Sequence, residues 1–183
     1  MTRFFRYSSR FLLACAVSLL AYCGYDLINS WMFQKTASGQ LEKALTLPHK
    51  DRPTGGLIGR IEIPRLRVSV IVMEGTTRSI LGQAAGHIAG TVLPGQQGNI
   101  GISAHRDTFF RPLRNIRRND TITLTTLAGE FRYRVVSTQV VSPNDVEVLK
   151  SNNAEILTLV TCYPFYFIGP APNRFIVRAA RVI

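Results

Sequence analysis

The chain has 183 residues, of which 46% are hydrophobic, and its 22 basic residues against 11 acidic ones give a net charge of +11. This length and apolar content are enough for one domain with its own core and an appendage. The charge favours anionic surroundings such as lipid head groups or wall polymers. Nucleic acid is not an expected partner, because the sequence has no zinc-finger spacing, no aromatic single-strand platform and no lysine-rich tail.

The first segment combines a basic flank with an apolar core. Three arginines come first, at Arg3, Arg6 and Arg10. The apolar run 11–25 follows and fits either a secretory signal or a retained anchor. It is short for a membrane span of about 20 residues, but extending it to Phe33 supplies the length, and no A-x-A-type cleavage site follows. We predict a cytoplasmic N-terminus at 1–10, a single-pass anchor at 11–33 and a domain outside the cytoplasm.

The next segment, 34–56, is polar and ends in a proline, a threonine and two glycines. This composition predicts a stalk, with a helical turn around Leu41 to Leu45. From Leu57 the pattern changes to an alternation of apolar and polar residues with many β-branched side chains. We therefore place the folded domain at 57–183.

The domain is predicted to be all-β. Period-two alternation occurs in "IGRIEIP", "LRVSVIV", "NIGISAH", "TITLTTL" and "FRYRVVSTQVV". Only the stretches 76–85 and 144–149 have a helical pattern, and both are short. Seven or eight strands with glycine and proline at the joints indicate a β-barrel or a β-sandwich.

One cysteine stands apart from the other two. Cys15 and Cys23 lie in the N-terminal apolar segment, so Cys162 has no partner for an internal disulfide, and no C-x-x-C metal spacing exists. Cys162 ends the strand "EILTLVT", whose two faces are both largely apolar, and Pro164 then interrupts the ladder. The cysteine therefore lies at a rim, where it is either a small apolar filler or a nucleophile.

A cation is expected beside this cysteine. If strands 155–161 and 174–182 pair as an antiparallel hairpin, Arg174 lies about 5 Å from the cysteine backbone. A guanidinium there could hold a carbonyl or an oxyanion. The alternative is a solvated charge at a strand end.

A general base must come from a histidine. His105 ends the strand "NIGISAH", where Gly101 and Ser103 leave room for a substrate backbone, and His87 lies in a glycine-rich loop and has the pattern of a turn residue. We favour His105, without excluding His87. Asp107 is expected to cap the following turn rather than to orient the histidine.

Taken together, these segments resemble the sortases, the membrane-anchored cysteine transpeptidases of bacteria. "TLVTC" resembles their TLxTC signature, "NIGISAHRDTFFRPLRNI" the segment that carries their histidine, and "NRFIVRA" the strand that carries their arginine. The resemblance runs from about residue 58 to 182 and is greatest to class D. Sortases commonly have glycine before the histidine, so Ala104 is expected to narrow the cleft here.

The resemblance implies an eight-stranded sortase β-barrel with Cys162 as nucleophile, His105 as acid or base, and Arg174 as the group that positions substrate and stabilises the oxyanion. The implied reaction cleaves an LPxTG-like sorting motif of surface proteins and passes the acyl group to an amine acceptor, either a wall precursor or a pilin lysine. No cofactor is implied, and the sparse acidic residues form no calcium or other metal ligand set. A thiol endopeptidase and a non-catalytic, membrane-tethered binding domain are the alternatives.

The turn after the histidine is rich in arginine. We expect a solvated surface there, with contact to anionic wall precursors or lipid as the alternative. The residues are Arg106, Arg111, Arg114, Arg117 and Arg118.

Overall fold

A computed structural model describes residues 2–47, 56–151 and 153–182. The strands are β1 (Leu57–Ile63), β2 (Val68–Glu74), β3 (Ala85–His87), β4 (Asn99–Ser103), β5 (Thr121–Thr126), β6 (Gly129–Val141), β7 (Ile156–Tyr163) and β8 (Asn173–Val182). The helices are α1 (Thr2–Thr46) and α2 (Arg78–Gln83), with 3₁₀ turns at Pro64–Leu66, Arg111–Asn115 and Val146–Leu149. The two predicted helical stretches are therefore short helical elements.

The strands form a closed barrel in the order β1-β2-β3-β4-β7-β8-β6-β5, and pairing of β1 with β5 completes the ring. The pairs β2–β3 and β4–β7 are parallel, and the others are antiparallel. Because successive residues of a strand point to opposite faces, alternate apolar residues fill the interior. The prediction of an all-β closed barrel with about eight strands is confirmed.

The long helix α1 differs from the prediction. It runs for 45 residues, which corresponds to about 68 Å, and its part Tyr7–Thr46 is long and apolar enough to cross a membrane. Residues 34–46, predicted as a polar stalk with one helical turn, are the last turns of this helix. Residues 48–55 of the predicted stalk lie outside the described residues. The division into cytoplasmic, membrane and outer segments stays a prediction.

The last turns of α1 pack on the outside of the barrel. Ala37, Leu41 and Ala44 lie at helical spacing and are buried, and the first two form one apolar cluster with Ile71 and Ala84 of the barrel side. Gln34 adds a polar attachment: its Nε2 donates to the backbone oxygen of Gln83 at 2.6 Å, and its Oε1 accepts from the backbone N–H of Ile71 at 2.9 Å. Burial of these small and apolar side chains explains why a mainly polar stretch is helical.

Candidate active site

Two of the three predicted site residues are direct partners on neighbouring strands, and the third follows the end of the next strand. In the β7–β8 ladder, Cys162 is the direct partner of Arg174. In the parallel β4–β7 ladder, Ser103 is level with Val160. Continuing this register for two residues beyond the end of β4 puts the backbone of His105 about level with that of Cys162. Since neighbouring strands lie about 4.8 Å apart, the backbones at the outer two positions are about 10 Å apart.

The site opens on the outer face of the barrel. Leu157 and Leu159 of β7 are fully buried in the core. Cys162 points to the opposite face of the strand and is only half-buried. Arg174 is also half-buried, and His105 is exposed. Cys162 does not belong to either apolar core cluster among the described residues. Its position therefore argues against the role of a simple core filler.

Ala104 is oriented differently from the prediction. It is 4% exposed and belongs to the barrel core. Its methyl group therefore points away from the outer face and does not narrow the cleft beside the histidine. Side chains alternate between the two faces of an extended chain, and Ile100, Ile102 and Ala104 all point to the inner face.

The space above Gly101 is also different from the prediction. A Cβ atom built there would meet Thr91 Cγ2 at 3.0 Å, Leu149 Cδ2 at 3.1 Å and Ile88 Cβ at 3.2 Å. These side chains already cover Gly101. The space beside its backbone is therefore filled by the protein's own side chains and is not open to a substrate. The open part of this segment is limited to Ser103 at the end of β4 and His105 two residues beyond it.

Thr161 joins the strand of the cysteine to the segment of the histidine. Its buried Oγ1 donates to the backbone oxygen of Ala104 at 2.8 Å, and the backbone N–H of Ala104 donates to Val160 O at 3.3 Å. The last threonine of "TLVTC" thus holds the backbone just before His105 against the backbone just before Cys162.

Arg106 makes a second connection between these segments. The prediction placed it on a solvated arginine-rich turn, but it is 6% exposed. Its Nη1 donates to Pro164 O at 2.8 Å, while Nε and Nη2 contact the two carboxylate oxygens of Asp107. Asp107 therefore pairs with Arg106 rather than capping the turn. A local pattern could not have found this bond, since its partners are separated by 58 residues.

Arg174 is held by the loop between β7 and β8. Its Nη1 donates to Ala171 O at 3.2 Å and to Asn173 O at 3.0 Å. Within the described residues, Nε and Nη2 make no hydrogen bond. These N–H groups remain available to a carbonyl or an oxyanion on the same face of the sheet.

His87 is not a turn residue. It belongs to β3 and is 3% exposed. Its Nδ1 lies 2.9 Å from Glu74 Oε2, and its Nε2 lies 3.0 Å from Thr91 Oγ1 and 3.1 Å from Val92 O. Both ring nitrogens are thus occupied by contacts that fix the 88–92 loop, which leaves His105 as the better candidate for the base.

Two cavities flank the site. One of about 450 Å³ lies between α1, α2 and the turn after β4, and its lining includes His105 and Thr108. The other, about 370 Å³, lies beside the segment after Cys162 and is lined by Arg114, Asn115, Tyr163, Pro164, Phe165, Tyr166 and Phe175. The histidine side of the site and the cysteine side therefore have separate neighbouring spaces.

A family model described as the sortase domain matches residues 61–182 of the chain. The chain belongs to the sortase family. Sortase D of Bacillus subtilis is 36% identical over 130 residues, which cover 70% of this chain and 66% of that protein. Sortase A of Listeria monocytogenes is 28% identical over 110 residues, which cover 58% of this chain and 49% of that protein. The chain thus spans between about half and two thirds of the length of these curated relatives.

Solved sortases have the same architecture. The sortase D5 transpeptidase of Clostridium perfringens matches with a TM-score of 0.73 and 27% identity, covering 82% of this chain and 99% of that chain. Sortase C1 of Streptococcus agalactiae matches with a TM-score of 0.66 and 29% identity, covering 72% and 70%. The resemblance to sortases is confirmed, and two of these relatives bear the sortase D name that the sequence motifs favoured.

Proposed function

We propose that this sortase is a membrane-anchored cysteine transpeptidase in which Cys162, His105 and Arg174 perform the chemistry. The observation that carries the proposal is the direct pairing of Cys162 with Arg174 across β7 and β8, beside the end of β4, from which His105 is two residues away. The proposed donor is a surface protein with an LPxTG-like sorting motif. The proposed acceptor is an amine on a wall precursor or a pilin lysine.

The proposed first half-reaction forms a thioacyl enzyme. The thiolate of Cys162 attacks the carbonyl carbon of the scissile peptide bond, and the free N–H groups of Arg174 donate to the developing oxyanion. The imidazolium of His105 gives its proton to the departing amine as the carbon–nitrogen bond breaks. The products are a thioester on Cys162 and a neutral His105.

The proposed location follows from α1. Its basic N-terminus faces the cytoplasm in accordance with the excess of arginine there, and the helix crosses the membrane once. Phe33, the last residue of the predicted anchor, packs against the apolar cluster that joins α1 to Ile71 and Ala84, so the membrane-embedded part ends at this residue. The barrel then lies outside the cytoplasm and directly at the membrane surface.

The test uses the full chain in lipid nanodiscs and a library of peptides with LPxTG-like sequences. Mass spectrometry should find an acyl adduct on Cys162, and amide product should increase with amine concentration. The Cys162→Ala variant should form neither, whereas Cys23→Ala, which removes an exposed thiol of α1, should behave as wild type. Hydrolysis that is indifferent to amine would instead assign a thiol endopeptidase, and absence of any adduct would assign a binding domain.

Arg174 has a matched control on its own strand. Arg178 lies on the same outward face of β8, opposite Thr158 rather than Cys162. Removal of one oxyanion donor typically lowers kcat by about 100- to 1,000-fold. We expect a loss of this order for Arg174→Gln and a change within about threefold for Arg178→Gln. Equal effects of the two substitutions on thioacyl formation would contradict the proposed role of Arg174.

A further inference from the structure

The connection between β7 and β8 carries three consecutive apolar side chains that face solvent. Tyr166 is 78% exposed and Ile168 is 97% exposed, with the exposed Phe167 between them. Other exposed large apolar side chains in the described part of the barrel stand singly, at Leu93, Val136, Val140 and Val146. Single exposed apolar residues are normal, whereas a contiguous group indicates an interaction surface. We call residues 166–168 the apolar tip.

The apolar tip lies beyond the end of the barrel that carries the proposed catalytic residues. Tyr163 and Asn173 are the last paired residues of β7 and β8, so the tip extends past this ladder. The backbone N–H of Phe167 donates to Pro164 O at 3.3 Å and closes a turn at the base of the tip. We call this end of the barrel, where β4 and β7 finish and β8 begins, the site end.

The course of α1 places the membrane on the side of the site end. Gln34, the first residue after the predicted anchor, donates to Gln83 O at 2.6 Å. Gln83 lies two residues before β3, which begins at the site end because it runs antiparallel to β4. From there α1 passes along the barrel, and Glu42 pairs with Arg60 in the middle of β1 at 3.3 Å. The residues before Gln34, which form the predicted anchor, therefore continue past the site end.

The site end also carries an excess of positive charge. The segment 104–120 joins the end of β4 to the start of β5 there. Its two carboxylates are already paired: Asp107 contacts Arg106, and Asp120 contacts Arg65. The exposed arginines of this segment that form no salt bridge within the described part of the chain are Arg111, Arg114, Arg117 and Arg118.

Several basic residues near the opposite end of the barrel are neutralised by neighbours instead. The pairs are Arg132 with Glu130, Lys150 with Glu147, and Arg181 with Glu155. The net charge of +11 is therefore unevenly distributed. The unpaired part at the site end attracts an anionic surface such as a bilayer with acidic lipids.

One of these arginines lies directly beside the apolar tip. Arg114 Cζ lies 5.5 Å from the centroid of the Tyr166 ring, and within the described residues the guanidinium donates no hydrogen bond. Aromatic side chains with a neighbouring cation are typical of the membrane–water boundary. A wall polymer would account for the arginines alone, whereas three consecutive apolar side chains require an apolar phase.

We propose that the apolar tip inserts into the outer membrane interface and that the exposed arginines of 104–120 contact anionic lipid head groups. The inference rests on the proposed function, because it assumes that α1 is a retained anchor and that the barrel lies outside the cytoplasm. The same loop holds Arg174 through Ala171 O and Asn173 O. Contact with the bilayer therefore also supports the loop that positions the proposed oxyanion donor.

The experiment uses the full chain in lipid nanodiscs, with its three native cysteines replaced by alanine and one new cysteine labelled with a polarity-sensitive fluorophore. Ile168→Cys reports on the apolar tip, and Leu20→Cys reports on insertion of α1. Val146→Cys is the matched control, because Val146 is also apolar and exposed. It belongs to the 3₁₀ turn in which Val148 O accepts from Asn99 Nδ2, at the end of β4 opposite to the site.

Nitroxide-labelled lipid should quench the labels at positions 168 and 20 but not the label at position 146. Interfacial apolar groups lie about 5–10 Å into the boundary between head groups and acyl chains, so we expect quenching at 168 to exceed that at 146 at least about threefold. Equal quenching at 168 and 146 would overturn the inference. A blue-shifted label at 168 that the nitroxide lipid does not quench would indicate burial against a protein, such as a second copy of the chain, and would also overturn it.

The charge of the lipid tests the contribution of the arginines. Quenching at 168 should be stronger in nanodiscs with anionic lipid than in zwitterionic ones. Combined substitution of Arg114, Arg117 and Arg118 by glutamine should remove this difference. Arg132→Gln, at a paired site near the opposite end, should preserve it. A difference that survives the triple substitution, or no difference in the wild type, would overturn the head-group contact.

The label on α1 separates failure of this inference from failure of the proposed function. Absence of quenching at position 20 would show that the anchor is not inserted, which contradicts the proposed location and removes this inference with it. Quenching at 20 without quenching at 168 would overturn the inference alone. Absence of a thioacyl enzyme in the wild type would contradict the proposed chemistry and leave the quenching result valid.

Discussion

The hydrogen bond from Thr161 to Ala104 offers a direct test of how the barrel positions the site. Thr161→Val keeps the shape of the side chain but removes the donor that contacts Ala104 O at 2.8 Å in a buried environment. The lost bond and the carbonyl left without this partner should together cost about 1–3 kcal/mol of stability. Because the bond fixes the backbone before His105 relative to the backbone before Cys162, activity should fall as well.

Thr158→Val is the matched control. Thr158 is also fully buried on β7, and its Oγ1 donates to Asn99 Oδ1 of β4 at 2.7 Å. It lies four residues before Cys162, which corresponds to about 13 Å along the strand. The stability loss should therefore be similar in the two variants. Only Thr161→Val should also change the position of His105 relative to Cys162.

The assay compares thermal unfolding with the kcat/KM of thioacyl formation at a temperature where both variants are folded. A displacement of about 1 Å between reacting groups can cost about 100-fold in rate. We expect a 10- to 100-fold loss for Thr161→Val and less than about threefold for Thr158→Val. Similar activity in the two variants despite similar destabilisation would refute the positioning role of Thr161.

Three further predictions concern the barrel. Hydrogen bonds from Arg65 are the main cause that lowers the pKa of the buried Asp120 below its usual 3.8. The ionised Asp120 therefore stabilises the folded protein above about pH 4, and this contribution is lost as the pH falls through the lowered pKa. Wild type should exceed Asp120→Asn in urea unfolding by about 1–3 kcal/mol at pH 7, and a gap that does not shrink as the pH falls below about 4 would contradict this. Burial raises the pKa of Tyr133 to about 12, and its hydroxyl is buried with no partner among the described residues. Tyr133→Phe should therefore raise stability by about 1 kcal/mol, and marked destabilisation in the same assay would reveal a partner. A Cβ at Gly59 would lie 2.1 Å from Thr125 O, so Gly59→Ala should cost about 3 kcal/mol or more by thermal unfolding; wild-type stability would show that β1 and β5 can separate there.

The pairing of Cys162 with Arg174 could be predicted from the sequence because it depends on local geometry. A strand has a period of two, and Pro164 interrupts the ladder next to the cysteine. A short connection between consecutive strands then favours an antiparallel pair. The structure has this register, with Cys162 opposite Arg174. The histidine segment and the family could also be recognised from the sequence, because each motif consists of residues that are contiguous in the chain.

The roles of three other residues depend on contacts between distant segments. Arg106 is adjacent to His105 in sequence, yet its buried guanidinium bonds to Pro164. Gly101 was predicted to leave room for a substrate backbone, but side chains from two separate segments cover it. His87 has the sequence context of a turn and is instead enclosed beside Glu74. In each case the deciding neighbour comes from another part of the chain, so an alternating pattern could not identify it.

The sequence by itself determined the β-class of the domain, the apolar helix before it, the family and the three residues of the proposed site, because period, composition and contiguous motifs act over short distances along the chain. The tertiary structure decided that the helix continues onto the barrel, that β4 meets β7 in parallel, and that α1 and His105 border one cavity. The physical reason is that these arrangements follow from closing the barrel and packing α1 against it. Both bring together side chains that are separated by tens of residues in the sequence.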